Sequence, residues 1–262
     1  TQVRDLEKGL GVELFSREGR RLVLTDIGRV VYRYADEIFN IGREIQDVVR
    51  GLPGRAMYLV VGVADVVPKL IAHHLIEPAI QLKEPVRVVC REGRTDRLLA
   101  DLAIHKLDVV LSDAPIPPAV KIRAYNHLLG ESQVTFMASD RLARNCRKGF
   151  PESMNGAPVL LPAEGTILRG TLEQWFDSLE IRPTIVGEFE DSALLKAFGQ
   201  AGVGIFAVPS VIQDEVRRQY GVEPIGVVEG IVERFYAISL ERKVRHPAVA
   251  AVCIAAKSVL FA

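Results

Sequence analysis

The sequence has few of the residues that build disulfides or strongly charged surfaces. Its 262 residues include three cysteines, which lie far apart and form no CxxC pair. This argues against a disulfide framework and favours a reducing compartment. Cys90 and Cys253 lie in apolar runs and are predicted to be core residues. The formal net charge is zero, so overall charge indicates no partner. There is neither a signal peptide nor an apolar run of membrane-spanning length, and we expect a cytoplasmic protein.

Recognisable catalytic signatures are also missing. The sequence has no GxSxG elbow, no P-loop, no HExxH and no local cysteine–histidine signature, which disfavours an enzyme. The glycines of GQAGVGIF precede a strand instead of joining a strand to a helix, so they predict a tight turn and not a phosphate site. The five histidines lack the spacing of metal ligands. His73 and His74 are expected at the surface of a helix, pointing in different directions. We therefore expect no catalytic residue and no resident cofactor.

The most regular feature that is present is an apolar seam in the segment 25–52. Its period of 3.5 residues predicts one long helix, roughly 40 Å in length, that starts at Thr25 and ends before Pro53-Gly54. Charged residues flank the seam, and a narrow apolar stripe of this kind favours pairing with a second helix over packing on its own domain. We predict a dimerisation helix; the alternative is a surface helix of one domain. The seam residues are Ile27, Val31, Tyr34, Ile38, Ile41, Ile45, Val48 and Leu52.

A short helix and a basic hairpin precede the seam. Val3, Leu6 and Leu10 recur at helical spacing, and LFSREGRRLVLT alternates around an arginine-bearing turn. A short helix, a basic hairpin and a dimerising helix together fit a fragment of a winged-helix head. Glutamine and arginine side chains on the helix can read base edges, and arginines on a hairpin can contact phosphate or enter the minor groove.

Beyond residue 54 the pattern alternates between strands and helices. Strands 57–63, 86–91 and 108–112 are separated by two helices, which predicts a parallel sheet with helices on its faces. A second such unit begins near residue 131. We predict an α/β effector domain of two periplasmic-binding-protein-like lobes, preceded by a partial winged helix-turn-helix and a long linker helix. The predicted boundaries are 1–25 for the remnant of the head, 26–54 for the linker helix and 55–262 for the effector domain, with lobe I at 55–130 and 244–262 and lobe II at 131–243.

Acidic residues follow several of the predicted strands. Ligands of such sheets bind at the carboxyl ends of the strands, and there we find Asp65, Ser112, Asp113, Glu188, Glu190 and Asp191. As a group their oxygens suit a hard cation or pH sensing through crowded carboxylates. Taken singly, each has a simpler interpretation: Asp191 caps its helix, Asp113 holds a turn, and the glutamates are solvated.

The N-terminal segment resembles the DNA-binding head of LysR-type transcriptional regulators. A Gln-hydrophobic-x-x-Leu-Glu pattern is followed by Leu-Gly, Leu-Phe-x-Arg, a wing arginine and Leu-Thr-x-x-Gly, carried here by Gln2, Val3, Leu6, Glu7, Leu10, Gly11, Leu14, Phe15, Arg17, Arg20 or Arg21, Leu24, Thr25 and Gly28. The resemblance implies that two further helices and the start of the recognition helix precede Thr1. It also implies DNA contacts by Gln2, Arg4, Arg17, Arg20, Arg21 and Thr25, and it places Thr166 and Arg169 where such domains meet their effector. Together with the residues at the strand ends, the expected effector site is Asp65, Val66, Ser112, Asp113, Thr166, Arg169, Glu190 and Asp191.

Four strings extend the resemblance across both lobes. VGVADVVPKL, HKLDVVLSDAPI, GEFEDSALLKAFG and ERKVRHPAV are similar to the NhaR-type activators of sodium/proton antiporter genes. This implies a transcriptional activator that responds to sodium, lithium or alkaline pH. The clustered carboxylates are compatible with sodium or lithium as an effector in the interlobe cleft. The implied partners are promoter DNA, further copies of the chain in a dimer or tetramer, and RNA polymerase. The alternatives are a LysR-type regulator that senses an organic metabolite, and a bilobal small-molecule binding protein or enzyme without DNA binding.

Overall fold

In the computed structural model, residues 2–18, 21–49 and 56–261 are described. The N-terminal part consists of helix α1 (Gln2–Leu10), an antiparallel hairpin of β1 (Phe15–Glu18) and β2 (Arg21–Leu24), and the long helix α2 (Asp26–Val49). The predicted short helix, hairpin and long helix are thus confirmed. None of the helices in these described ranges is both long and apolar enough to cross a membrane.

Two polar side chains hold this N-terminal part together. The Glu7 carboxylate on α1 accepts hydrogen bonds from the backbone N–H groups of Leu14, at 2.8 Å, and Phe15, at 3.2 Å. The Thr25 hydroxyl accepts from the N–H of Gly28, at 2.9 Å, and donates to the carbonyl of Glu13, at 2.8 Å. Thr25 therefore caps α2, as its place before the seam predicts, and ties the start of that helix to the segment before β1.

Gly28 explains the glycine of the Leu-Thr-x-x-Gly pattern. A Cβ atom at this position would lie 1.9 Å from the carbonyl oxygen of Leu14, the same oxygen that accepts the Thr25 N–H. We expect Gly28→Ala to push β1 away from α2 at a cost of about 1–3 kcal/mol in stability, because backbone cannot yield as a side chain can. Amide hydrogen exchange at Thr25 measures the change.

The matched control is Gly42→Ala on the same helix. No atom lies within 4 Å of a Cβ built there, and alanine is the better helix former by about 1 kcal/mol. Exchange at Thr25 should accelerate in the first variant alone. Equal protection in both variants would mean that β1 does not need this close approach.

Lobe I is built around a parallel sheet. Its elements are β3 (Met57–Ala64), α3 (Lys69–Ile80), β4 (Val86–Gly93), α4 (Thr95–Ala103) and β5 (Val109–Ser112), and β3 pairs in parallel with both β4 and β5. The predicted strand–helix–strand–helix–strand order is confirmed. The last helix, α9 (Pro247–Ala255), is continued by a π-helical turn at Ala256–Leu260 and packs on α3, so the chain end returns to lobe I.

Two long strands connect the lobes. They are β6 (Tyr125–Ser139) and β10 (Val222–Ser239), which pair with each other antiparallel. With β9 (Phe206–Pro209) they give one six-stranded sheet in the order β4-β3-β5-β10-β6-β9. Residues 236–238 of β10 pair with β5. The second crossing into lobe I therefore lies before residue 236, and the predicted lobe boundary at 243/244 falls too late.

The remaining elements form lobe II. They are α5 (Asp140–Arg147), β7 (Pro158–Pro162), α6 (Ile167–Ser178), β8 (Thr184–Phe189), α7 (Ser192–Gln200), β9 (Phe206–Pro209) and α8 (Gln213–Tyr220). Strands β7 and β8 pair in parallel, and β9 pairs antiparallel with β6. The glycine-rich GQAGVGIF segment is the turn from α7 to β9, with Gly202 at φ +76°, as predicted.

Burial corrects one prediction for the cysteines. Cys90 is exposed, because β4 is the edge strand of the sheet and alternate side chains of an edge strand face solvent. Cys253 is half-buried against the core of lobe I. An apolar run of six residues does not reveal which strand lies at the edge.

Candidate functional site

A cavity lies between the two lobes, at the edge of the sheet where β5 ends. It encloses about 580 Å³ of empty space, including the part that is open to solvent. Lobe I, α6, the β8–α7 segment, β9 and β10 all contribute to its wall, which consists of Val66, Pro68, Asp113, Pro162, Thr166, Leu168, Phe189, Glu190, Ser192, Leu195, Lys196, Ala207, Val208, Pro209 and Glu233. A ligand here would touch both lobes, so its binding would depend on how the lobes close.

Lys196 is the cation of this cavity. It lies on α7 with 5% of its surface exposed, and its ammonium group donates one hydrogen bond, 3.0 Å long, to the carbonyl of Ser192. Burial lowers the pKa of Lys196 to about 8, against the opposing effect of Asp191 and Glu233. An ammonium group can donate three hydrogen bonds, so Lys196, which lines the cavity, has the capacity to bind a ligand there.

Glu233 is the carboxyl group opposite. It lies on β10, and burial, with a further contribution from Asp113, raises its pKa to about 8. Its Oε2 atom is buried and has no hydrogen-bond partner among the described residues, and the same is true of the Ser192 hydroxyl oxygen. Unsatisfied buried polar atoms are costly and rare. Two of them in the wall of one cavity indicate a place where a bound group supplies the missing contacts.

Four of the eight residues expected at the effector site line this cavity: Val66, Asp113, Thr166 and Glu190. Burial raises the pKa of the Asp113 carboxyl, as it does that of Glu233. Thr166 caps α6 by accepting from the N–H of Arg169, and its hydroxyl also donates to the carbonyl of Ala163. The other four do not belong to the wall: Asp65, Ser112, Arg169 and Asp191.

Arg169 was expected at the effector site but points elsewhere. Its side chain is 6% exposed and donates to Glu173, at 2.5 Å, to Glu188, at 3.1 Å, and to the carbonyl of Pro162. The guanidinium group thus joins α6 to β7 and β8 instead of facing the cavity. Glu188, one of the acidic residues predicted at the cleft, forms this ion pair with Arg169.

Asp191 has the simpler interpretation, a helix cap, and Ser112 has a local partner as well. The Asp191 carboxylate caps α7 by accepting from the N–H groups of Ala193, at 2.6 Å, and Leu194, at 2.9 Å. These hydrogen bonds lower its pKa below the usual value. The buried Ser112 hydroxyl accepts from the N–H of Ala114 and closes the turn after β5.

The expected DNA-contacting residues lie on the N-terminal elements. Gln2 and Arg4 on α1 and Arg17 on β1 are exposed. Arg20 lies outside the described residues, and for Arg21 the backbone, but not the side chain, is described. Their contacts with DNA stay predictions.

The apolar seam of α2 faces solvent within this single chain. Ile27, Tyr34, Ile38, Ile41 and Ile45 are 44–67% exposed. Tyr34 also makes an edge-to-face contact with the His105 ring of lobe I, with centroids 5.8 Å apart. The Val48 side chain and Leu52 lie outside what the structure describes. Apolar residues off the predicted seam are exposed as well, namely Tyr32, Phe39 and Val49.

Comparison with known proteins gives concordant results. Residues 54–260 match the LysR substrate binding domain family. The chain is 35% identical over 260 residues, 99% of its length and 85% of the relative's, to the transcriptional activator protein NhaR of Escherichia coli strain K12. Among solved structures it is similar to ArgP from Mycobacterium tuberculosis, with a TM-score of 0.65 and 17% identity over 99% of this chain and 87% of that one. It is similar also to full-length CbnR in complex with its target DNA, with a TM-score of 0.58 and 17% identity over 98% and 87%.

Proposed function

Because this chain belongs to the LysR family of transcriptional regulators, we propose that it is an activator of NhaR type, which controls a sodium/proton antiporter gene in response to sodium, lithium or alkaline pH. The similarity to the E. coli activator NhaR, along nearly the whole chain, carries this proposal. It favours a regulator over a bilobal binding protein or an enzyme without DNA binding.

The regulator acts through paired chains. The α2 seams of two chains pack together and place two winged heads on two DNA half-sites, and effector domains extend the dimer to a tetramer. Closure of the lobes changes the spacing of the heads and the bend of the promoter, which alters contact with RNA polymerase. The protein works in the cytoplasm, where promoter DNA lies. The solvent-facing apolar side chains of α2 support the pairing step.

The interlobe cavity suits a small hard cation. Sodium and lithium bind to oxygen, and the wall offers the carboxyl groups of Asp113, Glu190 and Glu233 and the hydroxyl of Ser192. Of these, Ser192 Oγ and Glu233 Oε2 have no partner among the described residues, which supports their use as ligands. A bound cation would stabilise the ionised carboxyl groups and draw the two lobes together, because Asp113 belongs to lobe I and Ser192 to lobe II.

Alkaline pH acts on the same cavity and in the same direction as sodium. As pH rises through about 8, Glu233 ionises and Lys196 loses its proton. Each change makes the cavity more negative, so each increases its attraction for a cation. At neutral pH the protonated carboxyl and the ammonium group oppose cation entry. This supports a single site that reads both signals.

The test is a titration of the N-terminally extended protein with inverted-repeat promoter DNA, with potassium replacing sodium at constant ionic strength. We expect specific binding whose affinity changes with sodium and not with potassium. Specific binding whose affinity does not change with sodium would support the assignment as a regulator. It would indicate an organic effector, with Lys196 as the residue that binds it. Binding no tighter than to random DNA would contradict the regulator itself.

The wing supplies a separate prediction about DNA. Charge reversal of Arg20 and Arg21 in the extended protein should weaken binding to all sequences, because arginines at a hairpin contact phosphates. Each lost phosphate contact should flatten the slope of log affinity against log salt by about 0.9. Fluorescence anisotropy at several salt concentrations measures both effects.

The control for the wing variant is charge reversal of Arg97, an exposed arginine on α4 in lobe I. It makes the same change in net charge as the reversal of either wing arginine alone, far from the head, and is compared with those single variants. A salt slope unchanged by the wing substitutions, or flattened equally by the control, would refute the assignment of the wing.

A further inference from the structure

Three potential metal ligands meet on helix α3. One ligand atom each of His73, His74 and Glu77 lies within 4.8 Å of the other two. Residues 73 and 77 are one helical turn apart and share a face. The two histidine rings are in edge-to-face contact, with centroids 5.4 Å apart. Adjacent residues on a helix point about 100° apart, which is why the sequence predicts divergent histidines. The structure instead brings the two imidazoles and the carboxylate together.

His74 is held in place from the other lobe. Its Nε2 atom lies 2.7 Å from Oε1 of Glu215 on α8, and both side chains are mostly shielded from solvent, with 25% and 31% exposed. A histidine that is held through one ring nitrogen has the other left for an ion, and a carboxylate in this role is the usual outer partner of a metal-binding histidine. Glu77 is also oriented, since it accepts a hydrogen bond from the Gln81 side chain at 3.2 Å.

We propose that His73, His74 and Glu77 form a binding site for a transition-metal dication of the Zn²⁺ class. Two imidazoles and one carboxylate are a ligand set that this class prefers, and water can complete a tetrahedral shell. The negative charges of Glu77 and Glu215 compensate a dication. Sodium, lithium and magnesium select oxygen ligands, so this site is chemically distinct from the interlobe cavity.

Occupancy of the site has a structural consequence. The three ligands belong to lobe I, while Glu215 belongs to lobe II. A bound dication polarises the His74 imidazole and strengthens its hydrogen bond to the Glu215 carboxylate. The ion would therefore join α3 to α8 and add to the contacts between the lobes. Glu215 is a positioning residue in this arrangement and not a ligand.

The first experiment is a calorimetric titration of tag-free, chelator-treated protein with ZnCl₂. We expect one ion per chain, and a rise in melting temperature that follows mass action. His73→Ala and Glu77→Gln should each weaken zinc binding at least about tenfold. The exposed His73 can be replaced without disturbing the core. The matched control is His127→Gln, a histidine that pairs with Ser239 elsewhere in lobe I and should leave zinc binding unchanged.

A second measurement separates coordination from simple surface adhesion. Cobalt(II) should give visible absorption bands typical of tetrahedral coordination in the unchanged protein and not in His73→Ala. Glu215→Gln should weaken zinc binding about 10–100-fold, the usual effect of removing an outer partner. No saturable zinc binding, or equal binding by the His73, Glu77 and His127 variants, would overturn the proposal. Zinc binding that is untouched by Glu215→Gln would overturn the positioning role.

Discussion

Glu233→Gln is expected to raise the melting temperature at pH 9 and to remove the response of stability to sodium. Burial of this carboxyl in the folded protein, with a further contribution from the nearby Asp113, raises its pKa from 4.5 to about 8. Its contribution to stability is full below about pH 4.5 and is lost as pH rises through 8, because ionisation of a buried carboxyl is costly. Glutamine does not ionise, so the variant escapes this loss.

The size of the effect follows from the shift in pKa. Each unit corresponds to about 1.4 kcal/mol, so the variant should gain a few kcal/mol over the unchanged protein between pH 4.5 and pH 9. Lys196 behaves in the opposite sense. Its lowered pKa makes its contribution full above about pH 10.5 and lost as pH falls through 8. Because Lys196 is unchanged in the Glu233→Gln variant, the stability of that variant should still decrease as pH falls through 8.

Sodium supplies the second readout of the same variant. Tenfold excess of an ion over its Kd stabilises a protein by about 1.4 kcal/mol, or a few degrees in melting temperature at this chain length. We expect this gain in the unchanged protein at pH 9, with sodium over potassium, and none in Glu233→Gln. Thermal unfolding monitored by circular dichroism measures both results.

Glu131→Gln is the matched control for this substitution. Glu131 lies on the neighbouring strand β6, where it pairs with Arg234 at 2.7 Å and is half exposed. It should leave both the pH profile and the sodium response unchanged. Should Glu233→Gln retain a sodium-specific rise in melting temperature, the cation would bind elsewhere and the cavity would lose its proposed role.

Ile38→Asp is expected to dissociate the dimer and to lower promoter affinity by at least about a hundredfold. Ile38 lies in the middle of the α2 seam with 67% of its surface exposed in the single chain. In a symmetric dimer the substitution enters the interface twice, and an unpaired carboxylate in an apolar interface costs several kcal/mol. A regulator that binds two half-sites at once loses much of its affinity when its two heads are no longer joined, because the binding is no longer bivalent.

Phe39→Asp tests whether the seam has the predicted register. Phe39 is the next residue on the same helix and is 69% exposed, but it lies off the seam. We expect this variant to remain dimeric in analytical ultracentrifugation while Ile38→Asp becomes monomeric. The reverse result would place the interface on a neighbouring face of α2, and dissociation of both would show an interface wider than a 3.5-residue seam.

The N-terminal architecture was predictable because its signals are local. A heptad-like seam determines α2, and Thr25 caps it. The lengths of β6 and β10 were not predictable in this way. These strands run through both lobes, with register shifts between Pro224 and Gly226 and between Val228 and Val232. Such shifts break the alternation of apolar and polar residues, so each strand looks like two shorter ones in the sequence.

The candidate site was predictable only in part. Asp113 and Glu190 follow strands, and Thr166 stands at the start of a helix. The rule that ligands bind at the carboxyl ends of strands therefore predicts their place at the cavity. Lys196 lies inside a helix and Glu233 inside a strand, so the same rule does not find them. A weaker signal exists for Lys196, which is the single charged residue in the apolar helix SALLKAFGQ. Arg169 was expected at the effector site but does not line the cavity. Its ion pairs with Glu173 and Glu188 were not predictable, because these partners come from two different elements.

Proton release on sodium binding is the measurement that links the two proposed signals. If the cavity reads both signals, sodium must displace the proton of Glu233 as it binds near neutral pH. Calorimetric titration of the protein with NaCl at pH 7.5, in two buffers of different ionisation enthalpy and with KCl as the reference, counts the protons. We expect sodium binding to release protons from both Glu233 and Lys196, whose pKa values lie near 8, and Glu233→Gln, which should bind no sodium, to release none. Sodium binding without proton release, or promoter affinity that follows sodium while the protein binds none, would contradict the proposal.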